Sequence, residues 1–273
     1  MPSVRSGLRP RQISDLLILH LALRQDIAPD FPEVQSRLQR YRRISLAVEC
    51  CELAADTVYL VREAQSGMVL WAGWASQVRL WAVLRRSRLL HKDIVGVISV
   101  PDDGLCRTVA RIFPGIPHQY CHDALLDRLM ESLKPGSNGG AAALPVDAVK
   151  SLAEILRREG RSAEVATLVD DHLLRLRAVA EVKPVCQSHM QRLENTVRAW
   201  WPGLFHCYDV RQLPSTCSTW RETWQALRQT PGAGRSGSLG CEDILRRAWE
   251  TRALPRGTLR LLDEIAARRP FRI

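Results

Sequence analysis

The apolar positions of the first half of the chain predict strands. Ile44–Val48 is a short apolar run, Thr57–Val61 is rich in β-branched and aromatic residues, and Met68–Trp71 resumes the apolar pattern. Such runs fit the half-buried surface of a sheet. The glycine-containing turn Gln65–Gly67 joins the last two, which predicts a hairpin.

After this hairpin, helices and strands alternate. Apolar residues at helical spacing predict helices over Val78–Leu90, Leu105–Ile112 and Leu125–Leu133. Strands are predicted at Ile94–Ile98 and His118–Cys121. Three consecutive strands followed by this alternation indicate an α/β protein with a mixed sheet flanked by helices. The order of elements is that of the RNase H fold.

The remaining segments are predicted to be helical. Residues 8–43 have helical spacing, interrupted by prolines, and residues 146–200 predict three helices that break near Gly160 and Pro184. A stretch rich in Gly, Ser and Asn at 134–143 predicts a linker. Residues 216–228 predict a further helix, and two basic helices close the chain.

The charge of the chain suggests a polyanionic partner. The net charge is +10, the isoelectric point is near 9.6, and only four of the 39 basic residues are lysine. DNA is the usual partner of such a protein, although a bias of the genome towards arginine codons would produce the same composition. The candidate DNA-binding residues are the clustered arginines, which would otherwise form a solvated face: Arg37, Arg40, Arg42 and Arg43.

The composition also indicates a compartment. With 46% hydrophobic and 25% charged residues, the chain resembles ordinary globular proteins. It has neither an apolar run of membrane-spanning length nor the pattern of a secretory signal, so a cytoplasmic protein is expected. The eight cysteines are scattered, contain no C-x-x-C pair, and predict neither a disulfide framework nor a zinc site.

One segment is specific enough to suggest a family. Residues 96–121 end in the phrase FPGIPHQYC, which is Phe113–Cys121. This resembles bacterial insertion-sequence transposases of the DDE type, in which a strand ends in an aspartate, a helix follows, and a phrase like FPGVPHQ-x-C comes next. Residues 46–63 resemble the first hairpin of that family, and residues 204–228 resemble its last catalytic block.

The resemblance implies an RNase H-like core with an all-helical insertion before the last catalytic helix. It also implies metal-assisted phosphoryl transfer, in which two aspartates and a glutamate hold two Mg²⁺ ions about 4 Å apart. Carboxylates are needed because magnesium prefers oxygen ligands. The expected division of the chain is an N-terminal helical region (1–43), the first part of the core (44–133), the insertion (134–203), the last core helix (204–230) and a basic helical tail (231–273).

The catalytic positions depart from the family pattern. Carried over residue by residue, they fall on Glu49, Val100 and Arg221. Glutamate is longer than aspartate, valine cannot bind a metal, and a guanidinium repels a cation. The resemblance therefore implies a transposase-derived DNA-binding protein that has lost DNA cleavage, with no cofactor expected.

A displaced carboxylate set is the alternative. Glu49, Asp102 and Glu222 would restore three carboxylates, with Glu49 and Asp102 as the first candidate metal ligands and Mg²⁺ as the cofactor. The competing interpretation of Asp102 is that it caps the helix beginning near Leu105.

Three functions therefore remain open from the sequence. The first is a DNA-binding protein without cleavage activity, whose partners would be DNA and possible homo-oligomers or an intact transposase. The second is an active metal-dependent transposase or nuclease that uses the displaced set. The third is a protein-interaction remnant without DNA affinity. Metal binding distinguishes the second function, and salt-dependent DNA binding distinguishes the first from the third.

Overall fold

A five-stranded mixed sheet forms one layer of the protein. In the computed structural model, the described residues are 42–53, 56–67, 69–74, 85, 93–100, 102–133 and 143–217. The strands lie in the order β3-β2-β1-β4-β5. Their bounds are β1 Arg43–Leu53, β2 Asp56–Glu63, β3 Val69–Trp74, β4 Asp93–Ser99 and β5 His118–Tyr120.

The strand directions divide the sheet into two halves. The first three strands form an antiparallel meander, whereas β4 and β5 run parallel to β1. The predicted α/β class and the mixed sheet are therefore confirmed. The antiparallel strands β2 and β3 lie on one side of β1, and the parallel strands β4 and β5 lie on the other. The chain therefore leaves β1 towards one edge of the sheet and, after β3, crosses to the opposite side of β1 to form β4.

The first strand is longer than its apolar run. Pairing with β2 extends from Leu46 opposite Glu63 to Leu53 opposite Asp56, so backbone hydrogen bonds continue the strand past the residues that pattern alone assigns to it. It also begins earlier, at Arg43. The prediction that Arg43 belongs to a basic helix is therefore wrong, since this residue already pairs with Asp93 of β4.

The turn between β2 and β3 is held by a side chain. The buried Glu63 carboxylate accepts hydrogen bonds from the backbone N–H groups of Gln65 at 3.2 Å and Ser66 at 2.6 Å. Gly67 follows with φ +71°, a conformation that glycine adopts at no steric cost. The predicted Gln65–Gly67 turn is confirmed.

Helices account for most of the remaining described residues. Two of them flank β5, and three long helices follow. Pro184 stands at the first position of one of these, where its missing N–H costs no hydrogen bond. The three predicted helices with breaks near Gly160 and Pro184 are confirmed. The bounds are α1 Asp103–Ile112, α2 His122–Ser132, α3 Ala143–Leu156, α4 Ser162–Val182, α5 Pro184–Trp200, a 3-10 turn Trp201–Gly203 and a short α6 His206–Asp209.

Two buried clusters hold these layers. The larger one joins α2 to α5 and includes Leu125, Leu152, Val169 and Leu193, each almost completely buried. The smaller one, which we call the sheet-face cluster, lies between the sheet and the segment after α6. It consists of Ala47, Ile98, Cys121, Leu213 and Cys217. No helix in the described part of the chain is both long enough and apolar enough to cross a membrane.

Several predicted elements lie outside the described residues. They are the N-terminal helical region up to residue 41, the Val78–Leu90 helix except Arg85, the linker at 134–142, the helix predicted over 216–228 beyond Cys217, and the basic tail. Arg37, Arg40, Arg221 and Glu222 lie there too.

Candidate functional site

The topology points to the carboxyl edge of the sheet between β1 and β4. In open α/β sheets, ligands bind beyond the carboxyl ends of strands, at the point where the chain connection changes sides. The last pair between these two strands is Val48 with Ser99. Glu49 is the next residue of β1 and Val100 directly follows β4, so two positions that the family resemblance implies to be catalytic come next along the chain at this edge.

Glu49 is engaged in a buried ion pair with Arg62. Arg62 pairs with Ala47 on the neighbouring strand, two positions before Glu49, and such diagonal neighbours lie on the same face of an antiparallel pair. The Arg62 Nη2 group donates to Oε1 of Glu49. Only 6% of Glu49 and 1% of Arg62 is exposed. A carboxylate held in this way is already neutralised by a cation.

The same guanidinium reaches a distant part of the chain. Arg62 Nη2 also donates to the carbonyl oxygen of Cys217 at 3.0 Å. The backbone N–H of Cys217 in turn donates to Sγ of Cys121 at 3.4 Å, and the N–H of Cys121 donates to the carbonyl of Ser99 at 2.9 Å. A continuous network therefore joins all three segments that carry the family resemblance.

Asp102 is a helix cap. Its Oδ1 accepts the backbone N–H of Leu105 at 2.9 Å, and its backbone is extended, as is usual at this position. The capping interpretation of Asp102 is confirmed, and the helix begins at Asp103, two residues earlier than the apolar pattern indicates. Val100, just before it, is 38% exposed and supplies no ligand atom.

The described residues do not fit a site for two magnesium ions. Glu49 is the counter-ion of Arg62, one oxygen of Asp102 holds a helix end, and Val100 is apolar. Across the described ranges, no three His, Cys, Asp or Glu side chains are grouped so that they could share a metal ion. Arg221 and Glu222 lie outside those ranges.

His118 and Ser99 form a second polar contact near this edge. The Oγ of Ser99 and Nε2 of His118 are 2.8 Å apart and share a hydrogen bond. Burial, helped by nearby His206, lowers the pKa of His118 to about 4. The imidazole is therefore neutral at physiological pH. Ser99 is completely buried, so this pair is a structural contact and offers no accessible nucleophile.

Gln119 and His122 form hydrogen bonds that hold residues 204–215 against the sheet. Gln119 is completely buried, donates from Nε2 to the carbonyl of Leu204 at 3.1 Å, and accepts from the N–H of Cys207 at 2.9 Å. His122 Nε2 donates to the Leu204 carbonyl at 2.7 Å, and burial lowers the pKa of this imidazole. The backbone N–H of His122 also donates to the carbonyl of Ser215 at 2.9 Å.

The predicted DNA-binding arginines that the structure describes lie at the other end of the sheet. Arg42 and Arg43 are exposed where β1 begins, whereas Glu49 lies towards the end of the same strand. Arg43 approaches Asp93 at 3.9 Å in an exposed ion pair, which leaves part of its charge compensated. A cavity of about 790 Å³ opens beside Arg43, and residues 113–117 form part of its wall.

A second basic surface lies on the helices. Arg128 of α2 and Arg192 of α5 line a groove of about 480 Å³. Both are exposed, and Arg192 reaches the carbonyl of Ser132 only at 3.5 Å. By contrast, the exposed Arg177 is paired with Glu194. The groove, which we call the α2–α5 groove, is otherwise lined by small, polar and aromatic side chains: Ser188, Gln191, Asn195, Thr196, Ala199 and Trp200.

Sequence reasoning missed Arg62, Gln119 and Cys217. A signal for Arg62 was available, since it stands two residues after Leu60 in a β-rich run and therefore shares that buried face. A charge on a buried face needs a partner, and Glu49 is the one acidic residue within the run 44–49. Gln119 and Cys217 carry no comparable signal, because their partners are distant in the chain.

Comparison with known proteins gives no family. No model of a protein family matches the chain, and no curated protein is significantly similar to it in sequence.

Proposed function

We propose that the chain is a transposase-derived DNA-binding protein with an RNase H-like core that does not cut DNA. The observation that carries this proposal is the buried ion pair between Glu49 and Arg62. A Mg²⁺ ion would have to displace a guanidinium that is already in contact and desolvated. Leaving that guanidinium buried without its counter-ion costs several kcal/mol.

The arrangement of the sheet supports the RNase H-like part of the proposal. An antiparallel meander of three strands, continued by two parallel strands that are separated by a helix, is expected of such a core. The helices α3 to α5 come directly before the segment that returns to the sheet face, where the resemblance implies a helical insertion. The network through Cys121, Cys217 and Arg62 brings together the three segments that the resemblance covers.

The charges support DNA as the partner. A net charge of +10 favours a polyanion, and phosphate contacts are made mainly by arginine and lysine. In the α2–α5 groove, Arg128 and Arg192 flank amide side chains, a combination suited to phosphates and base edges. We therefore propose this groove as a DNA contact surface, together with the exposed Arg42 and Arg43.

A cleavage assay tests the catalytic part. The purified chain is incubated with supercoiled plasmid DNA and with short duplexes in Mg²⁺ or Mn²⁺, beside the variant Glu49→Gln. We expect no cleavage by either protein. Cleavage by the wild type that disappears in Glu49→Gln would overturn the proposal and favour a displaced carboxylate set. Equal cleavage by both would indicate a contaminating nuclease.

Salt titration tests the DNA-binding part. The affinity for a short fluorescent duplex is measured by anisotropy at salt concentrations of about 50 to 200 mM. Log K falls as log salt rises, and each lost phosphate contact reduces the magnitude of that slope by about 0.9. We expect Arg128→Ala with Arg192→Ala to lower that slope by about 2. Arg177→Ala is the matched control, because its guanidinium already pairs with Glu194.

The outcome separates the remaining hypotheses. If the wild type shows no binding even at the lowest salt, the chain is an interaction remnant and not a DNA-binding protein. If it binds and the double variant keeps the full slope, DNA is the partner, but the α2–α5 groove is not the contact surface.

A further inference from the structure

The sheet-face cluster contains two cysteines that meet across a long stretch of chain. Cys121 directly follows β5 and Cys217 follows Leu213, with a separation of 96 residues. The N–H of Cys217 donates to Sγ of Cys121 at 3.4 Å, and each thiol shifts the pKa of the other. Both are buried, with 1% and 4% of their surface exposed. Their contact is therefore a fixed feature of the fold.

We propose that Cys121 and Cys217 form a peroxide-sensitive dithiol, in which Cys121 is oxidised first and Cys217 resolves it into a disulfide. This modification site is separate from the DNA-binding function proposed above. It needs a small hydroperoxide as the oxidant, because a bulky disulfide reagent cannot reach two buried sulfurs.

The two thiols are not equivalent. The hydrogen bond from Cys217 lowers the pKa of Cys121, and the N–H groups of Cys217 and Ala124 act in the same direction. The same hydrogen bond, together with burial, raises the pKa of Cys217. The thiolate is the nucleophile in such reactions, and the N–H of Cys217 donates to Sγ of Cys121, where it stabilises a negative charge. Cys121 is therefore the attacking sulfur.

The chemistry balances with hydrogen peroxide alone. The Cys121 thiolate attacks one oxygen of the peroxide, the O–O bond breaks, hydroxide leaves, and a sulfenic acid forms on Cys121. The Cys217 sulfur then attacks the Cys121 sulfur, the S–O bond breaks, and the hydroxyl leaves as water with the Cys217 proton. In total, two thiols lose two electrons and two protons, and one peroxide becomes two waters.

The position of the bond gives it a structural consequence. The carbonyl of Cys217 holds Arg62, and the N–H of Cys121 is fastened to the carbonyl of Ser99. A disulfide would therefore tie the end of the parallel strands covalently to the segment that covers Glu49 and Arg62. It would close a long loop, which restricts the unfolded chain.

Tryptic mapping tests the proposal directly. Cleavage after arginine gives the peptides 112–128 and 212–221, each with a single cysteine, Cys121 or Cys217. The full-length protein is treated with one equivalent of hydrogen peroxide, free thiols are blocked in acid, and the peptides are analysed by mass spectrometry without reduction. We expect these two peptides to be linked in most molecules, and the oxidised protein to melt at a higher temperature.

Variants test the order of the steps. In Cys217→Ser, Cys121 should stop at a sulfenic acid, which dimedone captures when the oxidised protein is unfolded in its presence. Cys186→Ser, which removes a buried cysteine of the helical core, should still form the linked peptides. Unlinked peptides, or linkages that mainly involve other cysteines, would overturn the proposal. If Cys217→Ser does not fold, the wild-type map still decides, because the linked pair can arise only from these two sulfurs.

Discussion

At the scale of single residues, the central feature is a charge pair that the fold has removed from water. Burying two ions costs solvation that their attraction repays only in part, so such a pair is weak as a source of net stability. Removal of one partner is a different matter, because the other charge then stays buried without compensation. Glu49 and Arg62 therefore each require the other, although the pair adds little net stability.

Stability measurements on this pair follow from that asymmetry. We expect Arg62→Met to lower the free energy of unfolding by about 3–5 kcal/mol, because it removes the buried cation that compensates the charge of the Glu49 carboxylate. The double variant Glu49→Leu with Arg62→Met should recover most of that loss. Urea unfolding followed by circular dichroism measures both.

A surface ion pair provides the control for this comparison. Lys150 and Asp147 are 3.2 Å apart and both exposed, so Lys150→Met should change the free energy of unfolding by less than about 0.5 kcal/mol. Equal losses in the single Arg62 variant and the double variant would show that volume, and not charge, determines the effect.

His118 predicts a pH dependence at the same scale. Its folded-state pKa of about 4 lies below the ordinary 6.5, so the unfolded chain binds the extra proton more readily. The stability that His118 contributes is therefore complete above pH 6.5 and is lost as the pH falls from 6.5 to 4. The total is on the order of 3 kcal/mol.

The comparison is between the wild type and His118→Asn, by urea unfolding at intervals across that window. We expect the wild type to lose stability more steeply than the variant. His122 and His172, whose pKa values are also lowered by burial, titrate in both proteins and cancel in the difference. Parallel curves would contradict the assignment to His118.

At the scale of elements, close contacts at two glycines determine how the segment that follows α5 packs on the sheet. A Cβ added at Gly203 would lie 2.5 Å from the ring of Tyr120, and one at Gly96 would lie 2.8 Å from Leu213. Real Cβ atoms do not come this near to other heavy atoms. Both positions therefore require glycine because of neighbours, without any demand on φ.

Alanine substitution tests this packing. We expect Gly203→Ala to lower the free energy of unfolding by about 1–3 kcal/mol, since the Tyr120 ring has to move within a packed region. Gly160→Ala is the matched control, because its nearest neighbour is the mobile tip of exposed Glu164 at 3.1 Å. Thermal unfolding of the two variants side by side makes the comparison. A loss as large in Gly160→Ala would contradict a packing origin.

The sequence predicts the elements better than it predicts their contacts. Helices α3 to α5 follow from an apolar stripe that repeats at helical spacing, and Gly160 and Pro184 interrupt it for local reasons. The Arg62–Glu49 pair depends on the register between two strands, which short runs do not specify. The contact between Cys121 and Cys217 depends on how the whole chain closes, so no local pattern could have predicted it.

At the scale of the whole molecule, one buried side chain joins the sheet to the helical part. Gln119 hydrogen-bonds to the backbone of Leu204 and Cys207, which lie immediately after the long helices. The larger buried cluster also extends from α2 into those helices. The two parts therefore share both polar and apolar contacts, and we expect them to unfold together.

Replacement of this residue should weaken that coupling. Gln119→Leu leaves the partly buried N–H of Cys207 without its acceptor, so we expect the free energy of unfolding to fall by about 2 kcal/mol and the transition to broaden. Gln187→Leu, on the exposed face of α5, is the control. Hydrogen exchange at the amide of Cys207 locates the effect. An unchanged exchange rate at this amide in Gln119→Leu would show that the hydrogen bond to Gln119 does not protect it.

The ion pair also constrains the inheritance of this sequence. A neutral residue at position 49 removes the counter-ion of Arg62, and a neutral residue at position 62 removes the counter-ion of Glu49. Each single substitution therefore lowers the stability of the protein, whereas the double substitution does not. The two positions should change together or not at all, and a descendant that uses the carboxylate at position 49 as a metal ligand must first provide another partner for the buried Arg62 guanidinium.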